Sequence, residues 1–300
     1  MAYNINDLDS RLKNYLETNG TEVLTKALFN SESAKYFQVQ TGVTAEQPII
    51  RLDSSITLAD ASTCGFEANG SDTFSNRLLS PKFLKVNKEF CPKTLLKTWA
   101  HSDVRMNALG ETLPFEELLI NNNINELAKV NERLIWEGDT TSGSGNMLLM
   151  DGIITIAKKD ENTVKQEKGT DTIWQRVQKI WLALPVEIAD KATIFMSIAN
   201  YKALIVELMN ANNFHVFEEY QGTYEMTLPG ANVKIKGVSG ITSDTILATF
   251  EENLYLGVDG ESDDEVVDLY FDKSSRTFKF CIEYAYCVNY AFSEYIILNS

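Results

Sequence analysis

Histidine and cysteine are scarce in this 300-residue chain, and the usual catalytic motifs are missing. The two histidines, His101 and His215, lie far apart, and His101-Ser102-Asp103 is contiguous, whereas the members of a catalytic triad come from separate segments. The sequence has no G-x-S-x-G elbow, no Walker A loop, no G-x-G-x-x-G after a strand and no H-E-x-x-H. These absences argue against an enzyme, and we expect no catalytic residue, no cofactor and no bound metal.

The four cysteines form no C-x-x-C pair, which argues against zinc sites and thioredoxin-like chemistry. Cys281 and Cys287 are six residues apart on one predicted strand, a separation of about 20 Å, so they cannot bond each other. Cys64 and Cys91 flank a predicted hairpin and could approach across it. Reduced thiols are the expectation for them in a reducing compartment.

Positive charge is also in short supply, because 27 Lys and Arg face 42 Asp and Glu for a net charge of −15. Domains that grip a phosphate backbone are usually basic, and anionic membranes attract basic segments. The balance therefore argues against both roles. No run approaches 18 apolar residues, so no membrane span is predicted. The first residues resemble no secretory signal.

Two polar segments could suggest ligand sites but are interpreted as connectors. The acidic run 259–265 alternates carboxylates without the glycine that a calcium loop needs at its sixth position. We therefore predict a solvated turn there rather than a calcium site. The Gly-rich stretch 142–145 has no Lys-Ser/Thr after it, which favours a flexible connector over a phosphate loop.

Strong periodicity marks two places in the chain. A helix is predicted over 114–137, where Pro114 suits the first turn and Gly138 ends the pattern. A strand is predicted over 278–292, where residues of one parity are all aromatic or aliphatic. The strand would be roughly 50 Å long and the helix roughly 36 Å. Together they predict an elongated α+β subunit.

The region between 56 and 98 predicts two extended limbs around a polar tip at 68–72. A two-stranded hairpin alone is marginal in water, and this one has too few apolar residues to form its own core. It must pack on a neighbouring domain or on a partner chain. The candidate contact residues on its tip and limbs are Phe66, Asn69, Phe74, Leu84, Val86 and Phe90.

An apolar segment with a predicted strand at 152–156 follows the long helix. After a polar stretch at 158–171, the chain predicts a second domain. This domain comprises a helix that Pro185 stops, a strand at 192–196, and a helix capped by Ser197 that further strands follow.

This order of parts resembles the major capsid protein of tailed phages, which has the Hong Kong 97 phage-type fold that encapsulins share. The resemblance is most specific in the last third of the chain. The segments that carry it are Pro229-Gly230, residues 246–249, residues 253–259 and residues 294–297. It implies an N-terminal arm at 1–50 and an extended loop at 51–98. It also implies a peripheral domain at 99–171 and 266–300 with a spine helix at 114–137, and an axial domain at 172–265.

The resemblance also implies a function. The chain would assemble as pentamers and hexamers into the icosahedral shell of a tailed double-stranded DNA bacteriophage. Its partners would be copies of itself, separate scaffold, portal and decoration proteins, and packaged DNA bound without sequence specificity, with no membrane. It would occur in the virion, and in the host cytoplasm before assembly. The alternatives are an encapsulin-like nanocompartment shell, a soluble α+β enzyme with an unseen pocket, and a phage tail or decoration component.

Overall fold

The computed structural model describes Asn14 and residues 31–58, 70–91, 115–211, 224–228, 230–259 and 267–300. The strands in chain order are β1 (Gln38–Thr41), β2 (Gln47–Ile56), β3 (Gly70–Leu79), β4 (Lys82–Phe90), β5 (Val164–Gln166), β6 (Ala192–Ser197), β7 (Glu225–Thr227), β8 (Lys234–Val238), β9 (Ile246–Phe250), β10 (Leu254–Asp259), β11 (Val267–Asp272), β12 (Thr277–Tyr290) and β13 (Ile297–Asn299). The α-helices are α1 (Phe115–Glu137), α2 (Ile153–Lys159), α3 (Ile173–Ala183) and α4 (Ile198–Asn210), and 3-10 helices cover Glu32–Tyr36, Gly145–Leu148 and Glu251–Asn253.

A five-stranded sheet is built around the long strand β12. One edge of β12 pairs antiparallel with β4, and the other edge pairs antiparallel with β11 and then β10. β1 adds to β10 in parallel. The predicted apolar parity of β12 is buried, which confirms the closing strand as core; its buried members are Phe278, Phe280, Ile282, Tyr284, Tyr286, Val288 and Tyr290.

Helix α1 covers this sheet and confirms the predicted spine helix. Its apolar stripe includes Ile120, Ile124 and Leu134, each at most 1% exposed. The helix ends where Gly138 N donates to Leu134 O at 3.2 Å. A Cβ on Gly138 would lie 2.3 Å from the carbonyl oxygen of Met150, so only glycine lets the returning chain pass this closely.

The strand predicted at 152–156 is wrong, because these residues begin helix α2. A run rich in β-branched isoleucine favours a strand locally. Here Ile153, Ile154 and Ala157 are all buried, which is the spacing of one helical face. The tertiary contacts that this face makes with α1 and β12 outweigh the local propensity.

A six-stranded sheet in the order β5-β13-β9-β6-β8-β7 holds the second core. Helices α3 and α4 pack on each other, and both contribute to this core. The Thr172 side chain accepts from Gln175 N and completes a capping box for α3, and Ser197 caps α4 as predicted. The helix–strand–helix order predicted for this region is therefore confirmed. The predicted acidic turn lies mostly outside the described residues.

The hairpin differs from its predicted form. β2 pairs antiparallel with β3, from Gln47 opposite Leu79 to Ile56 opposite Gly70. The predicted tip at 68–72 overlaps the start of β3 at Gly70, and residues 68 and 69 lie outside the described residues. β4 leaves the hairpin altogether and joins β12, because its parity of apolar residues completes the face of the five-stranded sheet.

Candidate assembly interface

The β2–β3 hairpin has a buried base and an exposed distal half. At the base, Ile49 is 3% exposed and Leu79 is fully buried. Further out, Ile56 is 85% exposed and Leu58 is 92% exposed. Ile56 lies five residues beyond Arg51 along the strand, a distance of about 17 Å. The hairpin therefore carries apolar side chains away from the core of its own subunit.

A small apolar cluster holds the base of the hairpin on the sheet. It contains Val43, Ile49 and Leu79 together with Cys287 of β12 and Ala291, which follows β12. Burial raises the pKa of the Cys287 thiol to about 11, so this sulfur stays protonated and acts as a small apolar group. Its surroundings identify Cys287 as a packing residue.

Arginine fixes the β2 limb of the hairpin. Arg51 forms an ion pair with Glu294 at 2.5 Å, and its guanidinium lies 4.8 Å from the ring centre of Phe292. Phe292 and Glu294 both lie in the segment that connects β12 to β13. A guanidinium stacked on a ring and paired with a carboxylate has few orientations open to it, so β2 leaves the body of the subunit in a defined direction.

A second arginine fixes the β3 limb. Arg77 Nη1 donates to Asp160 Oδ2 at 2.7 Å, and the guanidinium lies 4.1 Å from the ring centre of Tyr290. Burial opposes ionisation of Asp160, but hydrogen bonds from Arg77, Asn162 and Tyr290 outweigh it and lower the pKa of its carboxyl. The ion pair therefore persists at neutral pH and ties β3 to the end of α2.

Three of the predicted contact residues, Phe66, Asn69 and Phe74, come from the segment between the end of β2 and the middle of β3 in the sequence. Phe66 and Asn69 lie outside the described residues. Phe74 lies in β3 opposite Leu52, and its side chain is not described. The contact role of these three remains a prediction.

The other three predicted contact residues lie on β4. Leu84 is 6% exposed and belongs to the main core of its own subunit, and Val86 and Phe90 pack against that core. Their apolar parity was a sound sign of burial, but it is satisfied by α1 and β12 in the same chain. The exposed apolar residue of β4 is Phe83, which is on the opposite parity and is 76% exposed.

The start of the described chain is fastened to the spine helix. Glu132 accepts hydrogen bonds from Ser33 N at 3.0 Å and from Ser33 Oγ, and Trp136 Nε1 donates to the same hydroxyl at 2.6 Å. Burial raises the pKa of the Glu132 carboxyl. Phe37 meets Trp136 edge-on at 5.6 Å. No local sequence pattern marks this attachment, because its partners lie about a hundred residues apart.

Polar contacts also join the two cores. The carboxylate of Glu137 accepts from Thr242 N at 2.8 Å, from Ser243 N at 2.6 Å and from Thr242 Oγ1 at 2.6 Å. Burial opposes the ionisation of Glu137, but these hydrogen bonds outweigh it and lower the pKa of its carboxyl. The end of the spine helix is thereby bound to the loop before β9.

The next residue of that loop binds a buried arginine. Arg176 on α3 donates to Asp244 Oδ1 at 2.7 Å and to Asn299 Oδ1 at 2.5 Å, and its side chain is 1% exposed. Burying an unpaired guanidinium would cost several kcal/mol, so this pairing is required for α3 to sit where it does. The sequence offered no signal for it, because Arg176 looks like an ordinary helical surface residue.

A second exposed apolar group lies at the far end of α3. Leu182 is 79% exposed and Val186 is 90% exposed. Exposed apolar groups on a folded subunit are typical of contact surfaces.

Metal-binding clusters and membrane-spanning helices are both absent from the described residues. Among them, no group of three or more His, Cys, Asp and Glu side chains is placed to hold a metal ion. In the same part of the chain, no helix combines the length and apolarity needed to cross a membrane. His101 and His215 both lie outside the described residues.

Comparison with known proteins identifies the fold. No family model matches the chain, and no curated protein matches it in sequence. Among solved structures, the "satellite phage P4 procapsid including size determination (Sid) protein" matches over 99% of this chain and 98% of that chain, with a TM-score of 0.64 and 12% identity. The "capsid of empty GTA particle" matches over 91% and 89%, with a TM-score of 0.59 and 11% identity.

A third similar structure is the virus-like particle from Pyrococcus furiosus, which matches over 93% of this chain and 96% of that chain, with a TM-score of 0.53 and 12% identity. All three likenesses extend over nearly the full length of the chain. They confirm the α+β architecture of the Hong Kong 97-type fold for this chain.

Proposed function

We propose that this chain is the major capsid protein of a tailed double-stranded DNA bacteriophage and assembles as pentamers and hexamers into an icosahedral shell. The observation that carries the proposal is the hairpin, because its base is pinned by two arginines while its distal apolar residues are exposed. Such a hairpin gains apolar contact only when another molecule covers it. The end-to-end likeness to capsid subunits supports a neighbouring copy as that molecule.

The regions of the chain would divide the work of assembly. Residues 1–50 would form an arm and 51–98 the extended loop, although the pairing of β4 with β12 favours ending the loop near residue 81. Residues 99–171 and 266–300 would form the peripheral domain. Residues 172–265 would form the axial domain, with the exposed end of α3 close to the five-fold and six-fold axes.

The charge of the chain fits a container for DNA. A net charge of −15 repels a polyanion, so the packaged genome would be enclosed without sequence-specific binding. The shell would act with separate scaffold, portal and decoration proteins and would carry no catalytic site. It would occur in the virion, and in the host cytoplasm before assembly.

A nanocompartment shell is the second candidate. The likeness to the virus-like particle from Pyrococcus furiosus supports this candidate. A shell fold does not by itself determine what the shell contains. The two candidates differ in cargo, since a capsid encloses a genome and a nanocompartment encloses protein.

Electron microscopy of the purified protein tests the proposal. We expect closed particles with five-fold and six-fold clusters, either alone or after co-expression with neighbouring genes. Nuclease-protected DNA in particles from the native source would support the capsid, whereas a co-purifying enzyme would support the nanocompartment. A protein that remains monomeric under all these conditions would contradict both.

A further inference from the structure

The distal half of the hairpin is acidic. Residues 52–76 contain four carboxylates and no Lys, Arg or His; the four are Asp53, Asp60, Glu67 and Asp72. Asp53 lies in β2 opposite Thr73, and Asp72 lies in β3 with an exposed side chain. The part of the hairpin that projects therefore carries charge of one sign as well as apolar groups.

The strand β4 is basic in a chain that is otherwise strongly acidic. Lys82, Lys85 and Lys88 lie on it, with Glu89 as its only carboxylate. Lys88 Nζ donates to Asn123 Oδ1 at 2.5 Å and is occupied by the spine helix. That leaves Lys82 and Lys85 as the lysines of β4 that are free to meet an outside partner.

Lys82 and Lys85 are both exposed, and neither forms an ion pair with any described residue. Glu283 of β12 stands opposite Lys85 in register, yet the two side chains form no ion pair. Lys85 shares the parity of Phe83, whereas Lys82 lies on the parity of Leu84 at the start of the strand. The edge of β4 therefore carries an unneutralised positive charge on each face, which would attract an acidic partner.

β4 is also an edge. Within the described ranges its only strand partner is β12, so its other side presents unpaired backbone groups. Phe83 stands between the lysines in sequence and is 76% exposed. Lysines on an edge strand discourage pairing with arbitrary strands of other chains. A partner that carries carboxylates would instead be attracted to these lysines. Ile56 and Leu58 on the hairpin supply matching apolar groups.

We propose that the acidic distal half of one subunit's hairpin docks on the lysine-bearing strand β4 of a second copy of this chain. The inference rests on the proposed assembly into shells and names the surface that receives the hairpin. Residues 54–58 and Asp72 on the hairpin and Lys82 and Lys85 on β4 are all exposed in the same subunit, so the described parts of both surfaces are accessible to a second copy.

Charge reversal on each side tests the docking. One variant carries Asp53→Lys, Asp60→Lys, Glu67→Lys and Asp72→Lys, which change the charge of residues 52–76 from −4 to +4, and the other carries Lys82→Glu and Lys85→Glu on β4. Each should form oligomers at least about tenfold more slowly than the wild type at low salt, because like charges now face each other. The variant with all six changes should recover the wild-type rate.

Salt and a matched control separate this effect from general damage. The Debye length falls from about 10 Å at 0.1 M to about 3 Å at 1 M, so the defect of each reversal should shrink as salt rises. Lys158→Glu with Lys165→Glu reverses two exposed lysines elsewhere and should leave the rate unchanged. Circular dichroism should show that all variants are folded.

Mixing the two reversed variants gives a sharper test. In an alternating ring, each basic hairpin meets an acidic β4 and each acidic hairpin meets a basic β4. An equimolar mixture should therefore form six-membered rings, although each variant alone forms few. Five-membered rings cannot alternate, so closed particles should remain rare in the mixture.

Sedimentation velocity and electron microscopy read out the result. Wild-type oligomers that neither reversal changes would overturn the docking surface while leaving the capsid proposal intact. Reversals that are not rescued by the variant with all six changes would also overturn it. Oligomers that depend on these charges but never close into particles would support the docking and contradict the capsid. A wild type that stays monomeric at every concentration, both alone and after co-expression with neighbouring genes, would contradict both.

Discussion

Shortening the hairpin should separate folding from assembly. Asp53 and Thr73 stand opposite each other in the β2–β3 register, so residues 54–72 can be replaced by Asn-Gly, which forms a tight two-residue hairpin turn. The base remains, with Ile49 and Leu79 buried and both arginines anchored. We expect the truncated subunit to be soluble and to melt cooperatively within a few degrees of the wild type.

The expected loss of assembly can be estimated from exposure. Ile56 and Leu58 are 85% and 92% exposed, so their removal takes almost nothing from the core of the subunit. Full burial of such a side chain contributes about 1.5–3 kcal/mol. Two of them are therefore worth about 3–6 kcal/mol per contact, or at least about a hundredfold in association constant. Each ring repeats that contact several times.

Light scattering and electron microscopy measure the outcome. The truncated protein should form no closed particles at concentrations where the wild type forms them. A deletion of 62–90 is the contrast, because it also removes β4 from the main sheet and should unfold the subunit. Closed particles from the Asn-Gly variant would refute the reasoning, and so would its unfolding.

Three further predictions concern single side chains. Tyr286→Asp places a charge at a fully buried position, at a cost of several kcal/mol, and should give insoluble protein, whereas Asn289→Asp on the half-buried parity should be milder by thermal melting. Asp160→Asn should lower the free energy of unfolding at pH 7 by about 1–3 kcal/mol, because it weakens the ion pair with Arg77. The pKa of Asp160 is lowered in the folded state. The difference in unfolding free energy between the wild type and the variant should therefore shrink as the pH falls below about 4. Glu132 has a raised pKa in the fold, so its contribution to stability is lost as pH rises above 4.5, and Glu132→Gln should show a flatter dependence of unfolding free energy on pH in that window.

The elements that the sequence predicted well are those whose burial pattern is local. The spine helix shows Ile120, Ile124 and Leu134 on one face, and β12 alternates over more than ten residues. Each pattern repeats often enough to exclude the other period. Ser197 was likewise readable, because an N-cap depends only on the first turn of its own helix.

The pairing of β4 could not be predicted in the same way. Leu84 and Val86 indicate that one side of β4 is buried, but they do not identify the element that buries it. Its partner β12 lies about two hundred residues later in the chain. Pairing as the return limb of the hairpin was the nearest arrangement available to β4. Its observed pairing with β12 depends instead on the sheet face that packs against α1. The helix α2 was missed for a related reason, since its burial depends on α1 and β12 rather than on its own β-branched residues.

The polar contacts that hold the two cores together were the least predictable. Arg176 is fully buried, yet its sequence surroundings are those of a solvent-facing helical residue. The groups that make its burial tolerable, Asp244 and Asn299, come from a loop and from the last strand. No local pattern relates the three, so only their three-dimensional arrangement reveals the network.

The strand β4 is where the fold and the proposed assembly meet. One parity of its side chains, led by Leu84, completes the core against β12. The other parity carries the exposed Phe83 and Lys85. Because successive side chains of a strand point to opposite faces, one short segment can stabilise its own subunit and receive a neighbour. Placing both tasks on a strand pinned to β12 means that the receiving surface is already formed before a second subunit arrives, which reduces the entropy lost on association.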